Sequence, residues 1–237
     1  YPVGVGKTST PTPVGYYAVQ NKEVNPTWID PGDTSVQIGP GPDNPLGYRW
    51  IGFNGTYGIH GTNQPSSVGY YVSNGCIRMH EEDVEAVYDQ VAVGTPVNVY
   101  YDRIVIDSDA DHTVSYYIYP DGYGWQNVTV QNVKDALRGY GVEDFADANG
   151  IYSKIAASDG QPTYVAKAYD LIVNGKKIAK RALKKDGVTY LPAVAVATAL
   201  KMDLHWNSKQ RTLTSPYGRA FGVNKSDVIY VDAADAQ

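Results

Sequence analysis

The sequence is poor in sulfur, in net charge and in long apolar runs. With one cysteine in 237 residues, no disulfide can form within the chain, so the fold must be held by its core. No apolar segment approaches the roughly 20 residues that a membrane-spanning helix needs. The 25 acidic and 20 basic side chains give a formal net charge of −5, so electrostatics give no reason to expect nucleic acid as a partner.

The chain also starts without an initiator methionine or a signal segment. Tyr1 opens a strand-like stretch, and we therefore expect that a segment upstream of it has been removed. The avoidance of cysteine fits either a reducing cytosol or a bacterial surface protein that keeps no spare thiols.

Tyrosine, glycine and proline are abundant. There are 21 tyrosines, 24 glycines and 14 prolines; aromatic residues suit the half-buried surface of a sheet, and glycine and proline favour turns. We therefore predict a mainly β fold with short helices. The length allows two domains. We place a β-rich domain over residues 1–103, connecting strands and a helix over 104–163, and a smaller α+β module over 164–237.

Local patterns predict several elements of the first domain. Residues 14–19 and 47–53 alternate in the manner of strands, and residues 81–91 carry apolar side chains at helical spacing. Residues 25–47 contain five prolines, which predicts a long loop without regular structure. Because long loops are often functional, we expect this one to form a wall or lid of a site.

Capping and turn residues predict elements farther along the chain. Thr129 is the expected N-cap of a helix over residues 130–138. Asn174-Gly175 predicts a two-residue hairpin turn. Pro192 suits the first turn of a helix that continues to Leu200.

The acidic run over residues 107–111 is predicted to be a solvated turn. A calcium loop of the EF-hand type needs glycine at its sixth position and glutamate at its twelfth. Counted from Asp107, those positions hold His112 and Ile118. We expect no metal site and no cofactor.

One stretch, residues 57–79, combines the single cysteine, Cys76, with one of four histidines, His60. A thiol becomes an effective nucleophile when a nearby base or positive charge raises its thiolate fraction, which suggests Cys76 as nucleophile and His60 as base. Gly75 would let a substrate carbonyl approach backbone N–H groups that stabilise an oxyanion. Arg78 would bind a substrate carboxylate or favour the thiolate.

Each of these residues has a structural alternative. Most lone cysteines are inert buried thiols, although the polar Ser73-Asn74-Gly75 flank of Cys76 argues against that. His60 could have a structural role at a strand end, with the hydrogen-bonding groups of its imidazole satisfied there. His80 competes for the role of base, although its position at a predicted helix start better fits an exposed cap. Arg78 could simply form an ion pair.

Two segments of this stretch closely resemble the signature of the L,D-transpeptidase catalytic domain (YkuD type) of bacterial cell-wall enzymes. They are Ile59-His60-Gly61-Thr62 and Ser73-Asn74-Gly75-Cys76-Ile77-Arg78-Met79. The resemblance extends over about residues 1–102 and implies a β-sandwich or mixed-sheet catalytic domain whose first strands lie upstream of Tyr1. In the second module, Val173-Asn174-Gly175-Lys176-Lys177 and neighbouring turns resemble the copper amine oxidase N-terminal-like domain, which implies no metal here.

The resemblance assigns a role to each site residue. Cys76 corresponds to the acylated nucleophile, His60 to its general base, and Gly61 to the residue whose carbonyl orients that histidine. The remaining residues would supply the oxyanion hole (the N–H groups of Gly75 and Cys76) or the substrate site (Arg78, Ser73, Asn74 and Tyr57). Asn74 departs from the many members that have a second histidine there.

The implied activity is cross-linking of peptidoglycan stem peptides through a thioester on Cys76, outside the cytoplasm, with carbapenem β-lactams as inhibitors. Wall glycan is the expected partner of the C-terminal module. An L,D-carboxypeptidase that uses water as acceptor and a non-catalytic wall-binding scaffold stay open as alternatives. A papain-like peptidase is disfavoured, because that family has its cysteine before its histidine.

Overall fold

The structure, a computed structural model, describes residues 1–236. The chain divides into two compact units, one formed by Tyr1–Tyr101 together with Gly122–Gly124, and the other by Asp102–Asp121 and the chain from Trp125 onward. Strands outnumber helices, and the helices have ten residues or fewer, which confirms the predicted mainly β fold with short helices. Within the described residues, no helix is long and apolar enough to span a membrane.

The first unit contains ten strands, one 3-10 helix (Pro65–Ser67) and one α-helix, α1. The elements are β1 (Val5–Gly6), β2 (Gly15–Ala18), β3 (Asn21–Val24), β4 (Trp28–Ile29), β5 (Gln37–Ile38), β6 (Arg49–Asn54), β7 (Tyr57–His60), β8 (Tyr71–Ser73), β9 (Ile77–Arg78), α1 (Glu81–Gln90) and β10 (Pro96–Val99).

A four-stranded sheet in the order β3-β6-β7-β9 is the centre of this unit. β6 pairs antiparallel with β3 and β7, whereas β9 pairs parallel with β7. Val19, Ile51, Met79 and Val84 form its buried core. Val84 belongs to α1, which confirms the helix predicted over residues 81–91 and ends one residue earlier.

The proline-rich loop over residues 25–47 contains a short two-stranded ladder, β4 with β5. The prediction that this loop lacks regular structure was therefore wrong. None of the four paired residues is a proline, so the prolines remove no donor from the ladder. The buried amide of Asn44 also holds the loop together, since it donates to the carbonyls of Pro26, Ile38 and Gly39.

The second unit is built on a nine-stranded sheet in the order β11-β12-β13-β16-β17-β21-β20-β19-β18. The described strands of this unit are β11 (Ile104–Ser108), β12 (Thr113–Ile118), β13 (Thr163–Tyr169), β14 (Ile172–Val173), β15 (Lys176–Lys177), β16 (Ala182–Lys185), β17 (Val188–Pro192), β18 (His205–Asn207), β19 (Thr212–Ser215), β20 (Gly218–Lys225) and β21 (Val228–Asp232). Of these, β14 and β15 form a separate two-stranded ladder. Its α-helices are α2 (Val130–Arg138), α3 (Ala148–Ala157) and α4 (Ala193–Leu200).

The helix ends and the hairpin turn predicted in this unit lie at or next to the predicted residues. Thr129 caps α2 and forms a capping box with Asn132. Asn174 and Gly175 both have positive φ, 49° and 75°, as the predicted hairpin turn requires. Pro192 is the N-cap of α4 and so lies just before the first turn in which it was predicted.

Candidate active site

The parallel ladder between β7 and β9 places His60 directly beside Arg78. Paired residues of neighbouring strands project from the same face of a sheet, and side chains alternate between faces along a strand. Cys76 lies two residues before Arg78 and directly precedes β9, and its thiol interacts with the N–H of Gly58, two residues before His60 on β7. The positive charge of Arg78 acts on both the imidazole and the thiol. The strand register thus brings His60 beside the segment of Cys76 and Arg78, which follows it by sixteen or more residues in the sequence.

The Cys76 thiol is half-buried beside the β6–β7 turn. Its Sγ donates to the carbonyl of Thr56 at 3.6 Å, and the N–H of Gly58 also interacts with it. Burial raises the pKa of the Cys76 thiol above its usual value, while the Gly58 amide and the Arg78 charge lower it in part. The free thiol is therefore protonated at neutral pH and would need a base to act as a nucleophile.

His60 is the candidate for that base. The residue is only 4% exposed, and Nδ1 lies 2.6 Å from the carbonyl oxygen of Gly61. A carbonyl can only accept, so Nδ1 carries the proton and Nε2 keeps a free lone pair. Desolvation lowers the pKa of His60 to about 4, so the ring is neutral at pH 7. In the described residues, no hydrogen bond joins this imidazole to the thiol.

Trp50 contributes to that desolvation. It is the cross-strand partner of His60 on β6, and the two rings stack with centroids 5.9 Å apart and an interplanar angle of 18°. The indole Nε1 donates to Asn21 at 3.0 Å, which fixes the orientation of the ring. Trp50 was not singled out from the sequence, because its contact with His60 depends on the strand register.

The turn that carries Cys76 is held by Ser73. The hydroxyl of Ser73, whose residue is 3% exposed, donates to the carbonyl of Cys76 at 2.6 Å and accepts from the N–H of Gly75 at 3.0 Å. Ser73, predicted at the substrate site, thus holds the turn together. The N–H of Gly75, one of the two predicted oxyanion donors, bonds to the Ser73 hydroxyl within the turn.

Gly75 is required for a reason other than substrate access. Its φ is +115°, in the left-handed region that favours glycine. A Cβ there would lie 2.4 Å from Cε1 of Tyr57, so the missing side chain makes room for the tyrosine ring. The half-buried Tyr57 thus packs on the turn, while Asn74 is exposed beside it.

Tyr123, from the Gly122–Gly124 segment, contacts the strand that leads to this turn and the strand paired with it. Its hydroxyl donates to the carbonyl of Gly6 at 2.7 Å and accepts from the N–H of Thr12 at 3.4 Å. Its ring meets the edge of Tyr71, with centroids 4.9 Å apart. Because Gly6 on β1 pairs with Ser73 on β8, Tyr123 helps to hold the strand that ends at the turn.

The raised thiol pKa and the lowered imidazole pKa predict the pH dependence of alkylation. We expect the rate at which iodoacetamide modifies Cys76 to rise about tenfold per pH unit and to keep rising through pH 9. A thiolate–imidazolium pair would instead give a plateau between the two pKa values. Rates measured from pH 5 to 10 by intact-mass spectrometry test this, and a plateau below pH 7 would contradict it. In Arg78→Gln the rise should move to higher pH.

Comparison with known proteins gives a family match for the part of the chain that contains this site. Residues 1–99 match the family model YkuD, described as the L,D-transpeptidase catalytic domain. Residues 1–99 thus belong to the YkuD family. The matched range contains Cys76, His60 and Arg78, and ends with the last residue of β10.

Several relatives of the YkuD-family unit carry the name L,D-transpeptidase. YqjB of Bacillus subtilis is 45% identical over 121 residues, which cover 46% of this chain and 66% of that protein. ErfK/SrfK of Salmonella typhimurium is 32% identical over 139 residues, which cover 54% of this chain and 42% of that protein. The chain therefore spans less than two thirds of each relative.

A solved structure is also similar. L,D-transpeptidase 3 from Mycobacterium tuberculosis, in complex with a faropenem-derived adduct, aligns at 26% identity with 42% of this chain and 44% of its own, with a TM-score of 0.36.

Proposed function

We propose that this chain is a peptidoglycan L,D-transpeptidase that works outside the cytoplasm through a thioester on Cys76. The observation that carries the proposal is the tautomer of His60. Its Nδ1–H is fixed by Gly61, and its neutral ring leaves Nε2 free to take the proton of the thiol, on which Arg78, the ladder partner of His60, also acts. A nucleophile, a base and a residue that orients the base are the parts that covalent catalysis by cysteine needs.

In the first half-reaction, Cys76 attacks the carbonyl between an L-centre and the terminal D-alanine of a donor tetrapeptide stem. The thiol proton passes to Nε2 of His60 as the S–C bond forms. The N–H of Cys76 stabilises the oxyanion. The C–N bond then breaks, and His60 returns the proton to the departing amine of D-alanine. A thioester on Cys76 remains.

In the second half-reaction, a side-chain amine of an acceptor stem attacks the thioester. His60 takes a proton from the amine and gives it to the departing thiolate, so a new amide forms and the free thiol is restored. The reaction needs no cofactor, because the thioester keeps the acyl group activated between the two steps.

Arg78 is the proposed substrate-binding residue of this site. Its Nε is buried and has no hydrogen-bond partner within the described residues. An unpaired buried donor is costly unless a ligand satisfies it, and guanidinium groups match carboxylates well. We assign Arg78 to a carboxylate or carbonyl of the donor stem, with the exposed Asn74 and the half-buried Tyr57 beside it.

We also propose that residues 164–237, within the second unit, are a copper amine oxidase N-terminal-like module that binds wall glycan. The turn at Asn174-Gly175 and the hairpin formed by β18 and β19, parts of the resembling sequence, support this. In the described residues, no group of three or more histidine, cysteine, aspartate or glutamate side chains could hold a metal ion.

Product analysis tests the proposed activity. Disaccharide-tetrapeptide muropeptides are incubated with the chain, with Cys76→Ala treated identically, and the products are separated by liquid chromatography and identified by mass spectrometry. We expect cross-linked dimers and free D-alanine from the wild type alone. Tripeptides without dimers would identify an L,D-carboxypeptidase that uses water as acceptor. No product at all, together with equal retention of both proteins on purified sacculi, would overturn the proposal in favour of a non-catalytic scaffold.

A further inference from the structure

Glu81, the first residue of α1, reaches the strand end that carries the proposed base. Its Oε1 accepts from the N–H of Thr62 at 2.7 Å, and its Oε2 accepts from the N–H of Tyr48 at 3.1 Å. One carboxylate therefore joins the helix to the segment after β7 and to the residue before β6. Charge-assisted bonds to backbone N–H groups are among the stronger hydrogen bonds of proteins.

The two glycines next to these N–H groups show how closely the carboxylate is enclosed. A Cβ on Gly61 would lie 2.2 Å from Oε1 of Glu81, and a Cβ on Gly47 would lie 1.8 Å from the same atom. Both positions are buried. The backbone at both contacts therefore has room for the Glu81 carboxylate only because a side chain is missing.

The bond to Thr62 matters because of the peptide group to which it belongs. The N–H of Thr62 and the carbonyl of Gly61 are the two ends of one planar peptide unit. The carboxylate of Glu81 holds the N–H end, and Nδ1 of His60 donates to the carbonyl end at 2.6 Å. A negative charge at the N–H end polarises the peptide and makes its carbonyl a better acceptor, as in other hydrogen-bond chains.

We propose that Glu81 is a positioning residue for the acylation step, acting on His60 through the Gly61–Thr62 peptide group. The carboxylate fixes the plane of that peptide and strengthens its carbonyl. The carbonyl in turn holds the imidazole in the Nδ1–H tautomer and stabilises the imidazolium that forms when the thiol proton arrives. The proposed series of groups therefore runs from Cys76 to His60, to the Gly61–Thr62 peptide group and to Glu81. The peptide group lies between the imidazole of His60 and the carboxylate of Glu81. This role rests on the function proposed above.

The test compares Glu81→Ala and Glu81→Gln with Glu82→Ala. Glu82 is exposed and lies in the same first turn of α1, so its loss removes a similar interaction with the helix dipole without touching the peptide. Two quantities are measured: the ¹⁵N shifts of the His60 ring in the free protein at pH 7, and the rate constant and reversible affinity for acylation of Cys76 by imipenem. Thermal unfolding shows that each variant is folded.

In Glu81→Ala we expect His60 to lose its single Nδ1–H tautomer and acylation to slow by about 10-fold, at the lower end of what partners behind a ligating histidine contribute, with the reversible affinity unchanged. Glu81→Gln keeps one acceptor and loses the charge, so its tautomer should persist while acylation still slows. Glu82→Ala should match the wild type. A folded Glu81→Ala that keeps the Nδ1–H tautomer would overturn the proposal; if it does not fold, an unchanged rate in Glu81→Gln would do so.

The two readouts separate this proposal from the function on which it rests. If imipenem does not acylate the wild type, the proposed function fails. The tautomer of His60 in the free Glu81 variants still reports whether the carboxylate positions the imidazole.

Discussion

Imipenem is expected to add the mass of one whole drug molecule to the wild-type chain and nothing to Cys76→Ala. The thiolate of Cys76 attacks the strained lactam carbonyl, the lactam C–N bond opens, and the ring nitrogen takes a proton from His60. The leaving nitrogen stays attached, so the full mass of the drug is retained. With a single thiol in the sequence, intact-mass spectrometry reads the result directly, and peptide mapping locates the adduct.

The matched control for this labelling is the same reaction on the unfolded wild type. If Cys76 had only the ordinary reactivity of a thiol, imipenem would modify it equally in urea. Acylation by the site instead requires the folded arrangement of Cys76, His60 and the Cys76 N–H. An unlabelled wild type, or equal labelling of Cys76→Ala, would show that the nucleophile has been assigned wrongly.

Replacement of the base is expected to have the second large effect. His60→Ala should slow acylation by about 100- to 10,000-fold, the usual contribution of a positioned general base. The effect should be greatest near neutral pH, because there the thiol, whose pKa is raised by burial, is almost entirely protonated. At alkaline pH the thiolate forms without help, so the rate of His60→Ala should recover toward that of the wild type.

His80→Ala is the control for this experiment. His80 is the N-cap residue of α1, is half-buried, and makes no capping bond with its side chain; it therefore lies at the predicted helix start but is less exposed than predicted. Its replacement should leave the acylation rate within about twofold of the wild type. If His80→Ala lost acylation and His60→Ala kept it, the base would have to be reassigned.

Signals that lie within a few residues of sequence predicted local structure well. The Thr129 cap and the Asn174-Gly175 turn are examples, because the hydrogen bonds and dihedral angles that define them involve only neighbouring residues. Helix α3 was missed for the corresponding reason. Its first turn contains Asn149 and Gly150, both poor helix formers, and Ile151 is its only buried residue.

The residues of the candidate site were found by motif, whereas their supports could not be. Trp50 meets His60 because β6 and β7 pair in one register, and Glu81 meets Thr62 because α1 begins near the end of β7. Neither contact leaves a periodic or compositional trace in the sequence. The hydrogen bond between Ser73 and Gly75 could not be predicted either, because the bonds of a turn depend on its dihedral angles.

The position of Tyr123 has a practical meaning for anyone who wishes to excise the YkuD-family unit. The family match ends at residue 99, and a protein cut there would lack the ring that packs on Tyr71 and the hydroxyl that bridges Gly6 and Thr12. Such a fragment would keep every residue of the proposed chemistry and still lose part of the scaffold behind Cys76. Because residues 102–121, which lead to Tyr123, belong to the second unit and β12 pairs there with β13, a cut at Gly124 would not separate the units cleanly either.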